Sequence, residues 1–243
     1  TATPHEARAG GAFSAKGKVM NQNAQGYPRR LVLLLCLLVP LFWLSGCSRA
    51  YYGAMEQFGV HKRDIMVDRV QAARDAQAEA KEQFRTALEQ FSELVQLRPS
   101  DLEAQYRELN SGYERCNRRA EQVHQRIASV ESVSEALFRE WQTELDQYSS
   151  PSLRQDSERK LASTRHEYEQ LIAAMKRASG KIHPVLSVFH DQVLYLKHNL
   201  NAQAITSLQG ELVTLEHNVD QLVREMEDAI READTFIAKL RKD

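Results

Sequence analysis

Beyond Cys47 the sequence has only three prolines, Pro99, Pro151 and Pro184, and a single further cysteine, Cys116. It has no run of alternating apolar and polar residues, no glycine-rich loop and no low-complexity tract. The missing alternation excludes a half-buried sheet, and sparse proline leaves long stretches free to be helical. One leftover thiol excludes a disulfide framework and reads as a small buried hydrophobe. Neither Gly17-Lys18 nor Gly180-Lys181 has a glycine five residues ahead of it, so the G-x-x-x-x-G-K phosphate loop is missing. No G-x-S-x-G elbow is present either.

Charge of one sign is also lacking. The 243 residues hold 32 Lys+Arg and 33 Asp+Glu. Five of the basic residues (Arg8, Lys16, Lys18, Arg29, Arg30) and Glu6 precede Cys47, so the remainder carries a net charge near −5. Interspersed charges of that balance exclude the basic face of a nucleic-acid binder and strong electrostatic attachment to a membrane.

Long hydrophobic runs are limited to one, the 13 residues from Leu31 to Trp43. That is short of the ~20 residues needed to span a bilayer. Arg29 and Arg30 precede it and Leu44-Ser45-Gly46-Cys47 follows, which together form the pattern of a bacterial lipoprotein signal with Cys47 as the residue to be lipidated. The expected organisation is an upstream, non-native extension over 1–19, a signal peptide from Met20 over 20–46, a lipid anchor and membrane-proximal segment over 47–69, and a long-helix bundle over 70–243. Ser48, where an aspartate would retain a lipoprotein in the inner membrane, directs it to the inner leaflet of the outer membrane, facing the periplasm. Tyr51, Tyr52 and Phe58, with His61, Lys62 and Arg63, are candidate membrane-proximal contacts.

The block Tyr51-Tyr52-Gly53-Ala54-Met55-Glu56-Gln57-Phe58-Gly59-Val60-His61-Lys62-Arg63-Asp64-Ile65-Met66-Val67-Asp68-Arg69-Val70, placed after the lipid-site pattern, resembles a bacterial lipoprotein family of unknown function, DUF2959. The resemblance runs from about Arg30 to the end of the chain. It implies a lipoprotein of helical fold and supplies no catalytic or binding residue.

The rest of the chain reads as helix. Apolar or alanine positions recur at 70, 73, 80, 84, 87, 91 and 94, the 3–4 spacing of a buried seam. Pro99 ends that helix, and Ser100 with Glu103 forms a capping box for the next. From Leu102 to Tyr148 the seam steps by 4 and 3 through Cys116, Val123, Val130, Ser134, Trp141 and Glu144, predicting a rod on the order of 70 Å. Ser150 and Pro151 start a third helix whose seam is Leu161, Tyr168, Leu171 or Ile172, and Met175. Gly180 and Pro184 predict a break over 179–184, the alternative being one long helix kinked at Pro184. The last seam runs through Val185, Phe189, Val193, Leu196 and Leu200, then from Ile205 to Leu240, with a 4–4 stutter through Ala204 flanked by Asn199 and Asn201. The expected fold is all-α, an elongated antiparallel coiled coil or three- to four-helix bundle of long helices behind a lipoprotein signal peptide.

Candidate chemistry is sparse. Glu121-Gln122-Val123-His124 matches half of the E-x-x-H pattern of di-metal bundles, without the second copy that such a site needs. His183, His190, His198 and His217 lack the carboxylate or cysteine company of a metal site. The expectation is therefore a non-enzyme without cofactor or metal. It is attached to the membrane by its lipid and acts through an envelope protein partner or self-association. The alternatives are a bundle that opens near 200–208 to take an apolar ligand or lipid, and a di-metal enzyme.

Overall fold

The computed structural model describes residues 61–97 and 101–242, all within the compact unit Cys47–Asp243. Among the described residues there are four long helices and no strand: α1 (Lys62–Leu97), α2 (Leu102–Glu144), α3 (Pro151–His198) and α4 (Ala202–Lys242). A single 3₁₀ turn, Leu145–Gln147, closes α2. The all-α bundle expected from the sequence is what forms.

Each helix packs on its neighbours in the chain, and α4 returns to pack on α1, which closes a four-sided antiparallel bundle. Side-chain pairs mark the register along its length. Between α1 and α4 they run from Arg63 with Leu240, through Arg74 with Asp234 and Arg85 with Glu227, to Gln209 with Val95. Between α2 and α3 they run from Trp141 with Ser157 to Tyr113 with His190. The core is the summed seam, with Phe84, Phe91, Leu171, Met175, Phe189, Leu215, Leu222 and Met226 all enclosed. Burying a side chain of that size contributes about 1.5–3 kcal/mol relative to exposure.

α1 starts earlier than the 70–97 seam suggested. His61 caps it, its carbonyl accepting from the amides of Asp64 at 3.0 Å and Ile65 at 3.1 Å, and Ile65, Met66 and Val67 are already buried. At the head of α2 the cap is Asp101 in place of the expected Ser100: its carboxylate accepts from the Ala104 amide at 2.9 Å, while Glu103 turns outward to pair with Arg107. The seam also slips at the end of α2. Tightening into the 3₁₀ turn brings Leu145 inside and leaves Glu144 and Tyr148, both expected on the seam, exposed.

The predicted break over 179–184 does not occur; α3 runs unbroken for 48 residues with Pro184 inside it. Gly180, Lys181, His183 and Pro184 all face solvent, while Ala178, Ile182, Val185 and Phe189 continue the buried stripe. Proline at 184 costs the bond to the carbonyl of residue 180, and that carbonyl lies on the side where water can satisfy it. The actual turn falls at the stutter, over Asn199, Leu200 and Asn201. The Asn201 side chain accepts from the Ala204 amide at 3.0 Å to restart the helix. Leu200, expected on the seam, is exposed in that turn.

Candidate functional site

The leader and lipid-site residues, Leu44, Ser45, Gly46, Cys47 and Ser48, lie outside the described residues, as do Tyr51, Tyr52 and Phe58. The described part begins with the last of the membrane-proximal candidates. His61 is exposed, whereas Lys62 is only 9% exposed and pairs with Glu140 of α2. Arg63 reaches the other way and donates from Nε to the Leu240 carbonyl of α4 at 2.9 Å. The two cations thus bind the first turn of α1 to the ends of both its neighbours.

Beside that turn is a cavity of about 390 Å³, lined by Arg63 and Glu140 and, on the α2–α3 hairpin, by Trp141, Tyr148, Leu153 and Lys160. Lys239 of α4 pairs with Glu167 of α3 at 3.0 Å, so the first turns of α3 reach past the last described turn of α4. This projecting hairpin has its own small core, Phe138, Leu145 and Leu161 with Trp141 and Tyr168 against it. Trp141 donates its indole N–H to Ser157 at 2.8 Å.

The titratable candidates do not converge. Val123 and Ala120 hold the buried positions, which sets Glu121 and His124 at the seam edge. There the Glu121 carboxylate accepts from Gln125 at 2.9 Å, and His124 Nδ1 lies 3.0 Å from the Ser179 hydroxyl. Among the described residues no group of three or more His, Cys, Asp or Glu side chains is placed to hold a metal. His183 and His198 are exposed, His190 stands against Tyr113 with ring centroids 5.5 Å apart, and His217 bonds Gln221 at 2.8 Å. Cys116 is fully buried, its thiol facing the Gln83 carbonyl at 3.6 Å, and burial pushes its pKa up to about 12. A thiol so far from ionising is a poor nucleophile.

A second cavity, of about 560 Å³, opens between α3 and α4 near their connecting turn. Its walls are Val188, Tyr195 and Leu208, with Asp191 and Glu211 at its rim and Gln192 behind them. The sequence pattern missed two enclosed glutamines, Gln192 here and Gln77 in the α1 seam between Ala73 and Ala80. Their spacing placed both on the buried stripe, and only their polarity hid them.

The model of the family described as "Protein of unknown function (DUF2959)" matches residues 51–240. The chain belongs to the DUF2959 family. Within DUF2959 the matched region takes in α1, α2, α3 and α4 as far as Leu240, and the eleven residues, 51–61, that lead into α1. No curated protein and no solved structure matches the chain.

Proposed function

We propose that this DUF2959 protein is a lipid-anchored helical bundle of the bacterial cell envelope, held by Cys47 in the inner leaflet of the outer membrane and facing the periplasm. In this reading it is a structural or protein-interaction element and not an enzyme. The observation that carries the proposal is the Arg29-Arg30, apolar run and Leu44-Ser45-Gly46-Cys47 pattern, which ends only fourteen residues ahead of His61, the first described residue of the bundle. No described helix is long and apolar enough to cross a membrane; in this reading the attachment is the acyl chains on Cys47. Helices of 36 to 48 residues extend about 54–72 Å, a reach suited to presenting side-chain surface away from a membrane.

Envelope fractionation tests this. The native chain should sediment with outer membranes, a globomycin-treated culture should accumulate the larger precursor, and Cys47→Ala should leave the outer-membrane fraction. An unchanged precursor size under globomycin, or a Cys47→Ala protein that still fractionates with the outer membrane, would remove the anchor. Crosslinking in intact envelopes followed by mass spectrometry then identifies the partner or shows self-association.

A further inference from the structure

The α3/α4 groove departs from the rest of the bundle in its charges. Across the long interfaces, opposite charges face one another: Arg74 with Asp234 at 2.7 Å, Arg85 with Glu227 at 3.2 Å, Arg177 with Glu225 at 3.6 Å and Lys239 with Glu167 at 3.0 Å. The last two lie between α3 and α4 themselves. Their register continues to Tyr195, whose hydroxyl donates to Ser207 at 3.3 Å. One turn before Tyr195 on α3 and one turn after Ser207 on α4, the same register sets Asp191 opposite Glu211, two carboxylates on one cavity. Among the described residues neither has a lysine or arginine partner; the ring of His190 stands 3.7 Å from Asp191. Like charges facing across a helix seam are destabilising, and such flanking positions usually pair opposite charges.

Gln192 adds a second, independent observation, a state it shares with Gln77 of the α1 seam, but Gln192 lines a cavity. It is 4% exposed, and neither its amide nitrogen nor its oxygen has a hydrogen-bond partner. An enclosed polar group without a partner costs about 1–3 kcal/mol, and a leucine at that seam position would avoid the cost. Two carboxylates over an apolar floor, with an unfilled carboxamide behind it, are arranged for a ligand and against maximum stability.

We propose that this groove binds a small organic cation, an alkylammonium whose charged head lies between Asp191 and Glu211 and whose chain rests on Val188, Leu208 and the ring of Tyr195. Two carboxylates are too few for a calcium site, which takes about six to eight oxygens, and the apolar floor suits an organic body. The volume, about 560 Å³, falls in the range of small-molecule sites. The site stands independently of the lipid anchor.

Titration calorimetry of the full chain with n-hexylamine at pH 7 and constant ionic strength, with n-hexanol and hexanoate as matched probes, tests the proposal. Hexylammonium should bind saturably, at least about tenfold tighter than either control, and the double variant Asp191→Asn/Glu211→Gln should lose at least about tenfold in affinity. That variant should also melt at a higher temperature than wild type when no amine is present, since it removes the repulsion, and this confirms that it folds. Equal binding of the three probes, or equal affinity of wild type and double variant for hexylammonium, would overturn the proposal.

Discussion

Arg63, in the first turn of α1, donates from Nε to the backbone carbonyl of Leu240 at 2.9 Å, and so ties the first described helix to the end of the last. The last carbonyls of a helix have no partner within it, and a guanidinium placed there satisfies one while complementing the negative end of the helix dipole. Arg63→Ala should therefore destabilise the bundle by about 1.5–3 kcal/mol, the usual worth of a hydrogen bond to a charged group. Amide exchange should quicken first in the final turns of α4. Unchanged exchange there would place the stabilisation elsewhere.

The neighbouring pair, Lys62 with Glu140, should behave differently from the ion pairs on the bundle surface. Lys62 is 9% exposed, and removing the Glu140 carboxylate takes a charge partner away from an enclosed ammonium. Glu140→Ala should cost several kcal/mol, of the order of 3. Glu135→Ala, which breaks the exposed Arg139–Glu135 pair, should cost under about 1 kcal/mol. Chemical denaturation of the two variants side by side gives the contrast.

α3 carries two helix-weakening residues on its solvent face, and both should be improvable. Gly180→Ala meets nothing within 4 Å of the added carbon and should stabilise by up to about 1 kcal/mol. Pro184→Ala restores the bond to the carbonyl of residue 180 and should stabilise by up to about 3 kcal/mol. A loss of stability from Pro184→Ala would mean that the proline-shaped helix is needed for packing against α2 and α4.

Cys116 should be silent to thiol reagents in the folded protein and react only on unfolding. A chain with Cys36→Ser and Cys47→Ser isolates it for titration with a disulfide reagent. Burial raises its pKa from 9.0 to about 12, so folding favours the neutral thiol. The contribution is fully present below the unfolded value near 9. Above that the unfolded chain releases the proton first, and stability falls as pH rises from about 9 to about 12. Cys116→Ala should flatten that alkaline loss.

Much of this architecture was legible because a helix buried along one stripe writes its period into the sequence. Every seam position from Ile205 to Leu240 except half-buried Leu212 is buried, and Pro151 opens α3 where its fixed φ predicted. The failures share a cause. Gly180 and Pro184 are strong local signals, and they lost to a buried stripe that continues beneath them on the opposite face. The true turn at Asn199–Asn201 was visible only as a stutter beside two asparagines. For the α3/α4 groove, the stutter pointed to the right stretch, but Asp191 facing Glu211 depends on the register between two helices, which no single-helix period contains.

Intact mass spectrometry of the protein extracted from bacterial envelopes tests the anchor at Cys47. The expected chain starts at Cys47 and carries a diacylglyceryl modification with an acylated amino group. A chain that retains residues ahead of Cys47, or one with an unmodified Cys47, would contradict it.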